Sequence, residues 1–232
     1  MNKTVAIIGG SSGIGLQLAK KLVTEQYDVI IAARNIDNLQ AIQKELNNKI
    51  SIYQLDACNE TEVMAFAEKL NHIDHLIVTL RGPGVSNSFS DSNTEEVKKA
   101  FDGKFWAQYY VIRHCLKKVK LTGSVILTSG IASQRSYPNS YWQASANGAI
   151  EALAKSLSVE IAPIRINVIS PGFIERKPND NERLEMVKKI EPKLPACRLA
   201  THNEIVEGYI FLMNSTYSTG TVLVIDGGVL CA

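Results

Sequence analysis

The sequence predicts an α/β protein, a parallel sheet covered by helices on both faces. Three observations carry this. Short apolar runs alternate with helix-like amphipathic segments along the whole chain. The first apolar run, Val5-Ala6-Ile7-Ile8, opens at once into a turn with glycines at 9, 13 and 15, and a helix pattern follows. The 232 residues suit one large domain with a substantial core, and no repeat, low-complexity tract or interdomain linker divides them. A single domain over residues 1–232 is expected.

The first strand is expected near 4–8 and its helix near 13–25. Residues 28–33 form the second strand, 37–47 a short helix with Leu39, Ile42 and Leu46 on one side, and 50–55 the third strand, ending at Asp56. The helix at 61–70 turns Val63, Phe66, Ala67 and Leu70 inward, and 73–80 is the fourth strand. A loop rich in Gly, Ser and Asn at 81–93 leads to one long helix, about 94–119, with a core-facing stripe of Phe101, Phe105, Tyr109, Ile112 and Leu116. Strand five at 124–129 and a helix at 139–161 follow, then strand six at 164–170, stopped by Pro171-Gly172. Residues 175–200, with prolines and many charges, are expected as a mobile surface flap with a short helix near 181–190. A helix at 202–213 and a last strand at 222–225 close the domain.

The totals exclude several classes. A net charge of +2 is too small to argue for nucleic acid or an anionic membrane, and no apolar run approaches a membrane span. The N-terminus enters the first strand directly, so no signal peptide is expected. Cys58, Cys115, Cys197 and Cys231 are scattered, as in a reduced cytoplasmic protein with free thiols. His72, His75, His114 and His202 show no ligand spacing, and no metal site is expected.

The turn Gly9-Gly10-Ser11-Ser12-Gly13-Ile14-Gly15 carries the chemistry. Gly9 permits a sharp exit from the strand. Gly13 and Gly15 let backbone approach a phosphate and let the helix pack on the strand. The free N–H groups and the positive end of the helix would face that phosphate. Gly9, Ser11, Ser12, Gly13, Ile14 and Gly15 are therefore candidate nucleotide-binding residues, against the competing reading of a plain structural turn.

With these motifs the chain resembles the short-chain dehydrogenase/reductase family, over nearly its whole length. Gly9-x-x-x-Gly13-Ile14-Gly15 matches the cofactor turn, with Ile8 where the family usually has threonine. Asp56 matches the acid that holds the adenine, Asn167 and Pro171-Gly172 match the sixth strand and its turn, and residues 219–228 match the last strand. The resemblance implies a doubly wound Rossmann sheet of seven parallel strands, order 3-2-1-4-5-6-7. Strand two ends in Ala33 and Arg34, not in an acid. A guanidinium there would pair with a 2′-phosphate, which favours NADP over NAD. The competing reading is that Arg34 is an ordinary exposed charge.

The family's proton-transfer residues are a serine, a tyrosine and a lysine four residues beyond the tyrosine. Ser129 fits the serine. Trp142 stands at the tyrosine position and Ala146 at the lysine position. The NNAG segment after strand four is replaced by Val78-Thr79-Leu80-Arg81, the helix asparagine by Lys104, and the threonine after the Pro-Gly turn by Arg176. Indole is a donor only, so Trp142 is neither acid nor base. One rescue makes Tyr141 the acid, with Lys104 depressing its pKa and Ser129 orienting the carbonyl; Tyr137 is a second candidate acid. The competing reading leaves Tyr141 packed at a helix start and Lys104 solvated or on phosphate.

Two functions compete. The first is an atypical NADP-dependent oxidoreductase acting on a carbonyl or alcohol of a small molecule. The second is a non-catalytic NADP(H) sensor or partner-binding protein on the same frame. An empty scaffold is a third, opposed by the glycine turn and Asp56. The small-residue face Ala144, Ser145, Ala146, Gly148, Ala149, Ala152, with the resemblance, implies a homodimer or homotetramer.

Overall fold

The computed structural model describes residues 2–85, 87–175 and 189–232. The apolar runs become strands β1 (Thr4–Ile8), β2 (Asp28–Ala33), β3 (Ile50–Gln54), β4 (Ile73–Val78), β5 (Val119–Thr128), β6 (Arg165–Pro171) and β7 (Val222–Ile225). They form one sheet in the order β3-β2-β1-β4-β5-β6-β7, with every neighbouring pair parallel. The helices are α1 (Gly13–Thr24), α2 (Ile36–Glu45), α3 (Glu60–Lys69), α4 (Thr94–Phe101), α5 (Ala107–Cys115), α6 (Tyr141–Glu160) and α7 (His202–Asn214). None is long and apolar enough to cross a membrane, among the described residues.

Alternation along β1 shows how the two faces are filled. Val5 and Ile7 join Leu18 and Leu22 of α1, Leu39 of α2 and Tyr209 of α7 on one face. Ala6 and Ile8 join Val63 and Phe66 of α3, Val111 of α5 and Ile150 of α6 on the other. A strand buried on both faces reads as a continuous apolar run, which is why β1 was so legible.

Two expectations need correction. The long helix at 94–119 is broken: Asp102–Trp106 forms a π-helical turn between α4 and α5, and Leu116–Lys118 closes in a 3-10 turn. The loop at residues 82–83 lies directly on the π turn. A Cβ on Gly103 would stand 2.9 Å from Gly82 Cα and 2.9 Å from Pro83 Cδ, so only glycine fits that contact. Strand five starts at Val119, five residues early, because Val119 pairs with Ile73 before a register shift brings Ser124 beside His75. Of the flap, Arg176 and most of the helix near 181–190 lie outside the described residues. Its two ends are joined: Glu175 N donates to Ala200 O at 2.9 Å and Ala200 N to Phe173 O at 3.0 Å.

Polar side chains fix the strand ends. Arg165 of β6 donates to Leu212 O at 2.8 Å and Met213 O at 2.9 Å, placing a cation on the carbonyl end of α7. Asn167 donates to Ser218 O and accepts from Thr221 N, which seats β7. His75 is buried on β4 with Nδ1 2.8 Å from Ser124 Oγ, and burial pushes its pKa down to about 4. Between about 6.5 and 4 the unfolded chain binds a proton that native His75 does not, so its contribution to stability is lost as the pH falls through that window. His75→Gln should therefore remove on the order of 3 kcal/mol of acid sensitivity. Urea midpoints measured from pH 7 to 4 check this: the stability of wild type relative to the variant should fall with acid, and a constant difference contradicts it.

Candidate functional site

β1 ends at a turn shaped for close backbone approach. Gly9 has φ +91° and its N–H donates to Ala32 O at 2.9 Å. A Cβ on Gly15 would meet Gly9 O at 2.5 Å and Thr79 Oγ1 at 2.6 Å, so α1 seats against the turn only with glycine there. Thr79, the first residue after β4, anchors the other side: its N–H donates to Ile8 O at 2.9 Å and its hydroxyl reaches Gly9 O at 3.2 Å. Ser12 is the N-cap of α1 but makes no side-chain cap bond, and the first turn has no acid. By contrast Asn35, Asn59, Asn93 and Thr201 cap α2, α3, α4 and α7 with their side chains. Ser11 O accepts from Asn38 Nδ2 at 3.2 Å, which ties the turn to α2. Ile14 packs beside the α1 face of the core.

The neighbouring strand ends supply the rest of the frame. Arg34 is exposed beyond β2, with its carbonyl held by Gln54 Nε2 at 3.1 Å. Asp56 follows β3; its Oδ1 accepts from Cys58 N at 3.0 Å and its N–H donates to Glu62 Oε2 at 2.9 Å. Gly172, after Pro171, donates to Ile225 O at 2.9 Å and touches Asp226 backbone, where a Cβ would stand 2.7 Å from Asp226 Cα.

Lys104 sits in the π turn and is only 6% exposed. Its Nζ donates to Thr128 O at 2.8 Å, Leu80 O at 3.2 Å and Ser129 O at 3.2 Å. These contacts use all three of its donors. Burial, with the Arg81 charge nearby, pushes its pKa down to about 7. Gln108, one helical turn on, completes the same corner: Nε2 donates to Lys104 O and Thr128 O, and Oε1 accepts from Thr128 N.

Ser129 is 5% exposed at the end of β5, its N–H bonded to Ile169 O. Its hydroxyl donates to Glu151 Oε1 of α6 at 2.7 Å, and Ser133 donates to the same oxygen at 2.7 Å. The sequence reading missed Glu151. The available signal was a lone acid among the small residues of 144–154, where an unpaired charge is uncommon. Trp142 is buried, and its indole N–H donates to Val85 O at 3.1 Å.

The structure joins Ser129 and Lys104 through the Ser129 carbonyl, and neither the Tyr137 nor the Tyr141 hydroxyl hydrogen-bonds to them. Tyr141 packs with Val85, Ala100 and Trp142, its ring 5.3 Å from that of Phe89, and its buried hydroxyl has no hydrogen-bond partner. Lys104 gives its donors to carbonyls and none to Tyr141. Tyr137 packs edge-on against Phe173; burial raises its phenol pKa, the reverse of what an activated acid needs.

The residues present fit a dinucleotide. The glycine turn is a cradle that a Cβ would fill at Gly15, and the uncapped start of α1 leaves N–H groups for an anion. Gly15→Ala should cost about 1–3 kcal/mol by overpacking and weaken NADPH binding at least tenfold. Thermal melting and fluorescence titration check it, and unchanged affinity contradicts it. The Lys104 site predicts a pH effect of the same sign as that of His75, in a more alkaline window. Between about 7 and the ordinary lysine value near 10.4 the unfolded chain holds a proton that the native site lacks, so stability rises with pH there. Lys104→Met should abolish that rise, and urea midpoints from pH 7 to 10 measure it; parallel curves for the two proteins contradict it.

Comparison with known proteins agrees with this frame. A family model described as Enoyl-(Acyl carrier protein) reductase matches residues 8–230. The chain is 30% identical to 3-oxoacyl-[acyl-carrier-protein] reductase FabG of Chlamydia pneumoniae, over 98% of this chain and 97% of that one. It is 28% identical to carbonyl reductase family member 4 of Xenopus laevis, covering 98% of each. A small-chain dehydrogenase solved in complex with NADPH superposes with a TM-score of 0.87 at 32% identity, covering 100% of both chains. The seven-strand order, the glycine turn and these matches together assign the chain to the short-chain dehydrogenase/reductase family.

Proposed function

We propose that the chain is an NADP(H)-dependent oxidoreductase acting on a carbonyl or alcohol of a small molecule. The observation that carries this is the start of α1: a glycine cradle opening on a helix end with no side-chain cap and no acid in its first turn. The NADPH complex of the 32% identical dehydrogenase supports the same choice of cofactor. Residues Gly9 to Gly15, including Ser11, Ser12, Gly13 and Ile14, would hold the diphosphate. Arg34 would pair with the 2′-phosphate, Asp56 would meet the adenine, and the Pro171-Gly172 turn would flank the nicotinamide half. The bound dinucleotide supplies or accepts hydride. The chain's task is to position the reacting carbon and to manage one proton, with Ser129 at the substrate oxygen.

One observation favours the sensor reading instead. Trp142 occupies the family's acid position and spends its only polar group on Val85 O. NADPH binding with no turnover across aldehydes, ketones and quinones would select that reading. We further propose a cytoplasmic homo-oligomer. Exposed Trp106 and Val159 support a partner surface, and sedimentation showing a monomer at high concentration would end that part.

Cofactor choice gives a direct measurement. Arg34→Ala should weaken NADPH binding about tenfold or more and leave NADH affinity unchanged. Fluorescence titration of both dinucleotides against both proteins decides it, and an unaltered NADPH affinity overturns the Arg34 assignment.

A further inference from the structure

We propose that Ser129 and Glu151 form a proton relay that replaces the missing tyrosine and lysine, with Glu151 as a positioning residue acting through Ser129. The proposal rests on the redox reading above. A serine hydroxyl has one proton to donate. Here that proton is directed at Glu151 Oε1, 2.7 Å away, inside a nearly closed corner. Toward a substrate Ser129 therefore presents lone pairs only. It can accept a hydrogen bond from an alcohol; with Glu151 ionised it cannot donate one to a carbonyl.

The surroundings hold this arrangement in place. Ser133 donates to the same Oε1 at 2.7 Å, so one carboxylate oxygen gathers both hydroxyls. Glu151 Oε2 makes no protein hydrogen bond among the described residues, and the side chain is partly exposed, so a proton has a route to water. Asn147, one turn earlier on α6, is 1% exposed and donates to Gly130 O at 3.1 Å, which fixes the loop between the two serines. Lys104 holds the Ser129 carbonyl from the opposite side.

In alcohol oxidation the substrate O–H donates to Ser129 Oγ. The carbinol carbon gives up its hydrogen with two electrons as hydride to an oxidised nicotinamide dinucleotide. The O–H proton passes to Ser129 Oγ, the former Ser129 proton passes to Glu151 Oε1, and the carbon–oxygen double bond forms. One proton ends on the Glu151 carboxyl and passes from this partly exposed side chain to water. Carbonyl reduction runs the same path backwards from protonated Glu151.

The test uses the full chain with NADP or NADPH and a panel of alcohols, aldehydes, ketones and quinones. Glu151→Gln retains an oxygen that accepts from both serines but cannot take the proton. It should lower kcat about 10²–10⁴-fold, with KM and the fluorescence-measured NADPH affinity unchanged. Glu151→Asp should recover part of the loss, and Ser129→Ala combined with Glu151→Gln should lose no more than the worse single variant. If Glu151→Gln does not fold, Glu151→Asp carries the comparison, with an expected loss of at least tenfold in kcat at constant KM. Wild-type kcat in the Gln variant, or in the Asp variant where Asp is the only one that folds, overturns the relay and leaves the redox reading standing. A wild-type protein that binds NADPH but turns over nothing in the panel overturns both.

Discussion

A single buried ammonium group joins the elements that frame the cleft. Lys104 reaches from the π turn to the carbonyl after β4 and to the last carbonyls of β5. A charge away from water is tolerated only when its donors are satisfied. Three carbonyls converge to do this, so the loop after β4, the end of β5 and the wide turn must keep their mutual positions. Gln108 reinforces the corner by pairing with Thr128 on both sides of its peptide. Thr128 then reaches across the sheet to Tyr209 of α7 at 2.6 Å, linking the two helical layers behind the site.

Much of this fold was readable because its strands are buried on both faces. Runs such as Val5-Ala6-Ile7-Ile8 have no polar side to hide, and the glycines after β1 announce a turn that Gly15 then requires sterically. The break between α4 and α5 was not readable. An amphipathic stripe continues through 101–116, and what accompanies the wide turn is a tertiary contact between Gly103 and Gly82 that no periodicity encodes. Glu151 was missed for a related reason. Its partners are 22 and 18 residues earlier in the chain and meet it only when α6 folds back on the end of β5. Lys104 stood out as a substitution, but its role depends on carbonyl groups, which no side-chain pattern encodes.

The site divides into a glycine turn at the end of β1 and a polar corner at the end of β5. The first holds Gly9 to Gly15, with Arg34 and Asp56 beyond the neighbouring strand ends. Trp142 fastens Val85, and with it the loop after β4, to the start of α6, while Glu151 of the same helix accepts a hydrogen bond from Ser129. An aromatic side chain serves as a clamp, and a helix acid occupies the polar corner.

The wide turn at Asp102–Trp106 inserts an extra residue into the helical path. Each residue of a regular helix advances it by about 100°, so everything after the insertion is rotated by roughly that angle relative to everything before it. The aromatic side chains past the turn thus wrap a different flank of the rod from the one that the charged first turns would dictate. Where the ammonium points is set by counting as much as by chemistry. Remove one of the turn's other four residues and the rod regains its ordinary phase, though no side chain had been substituted.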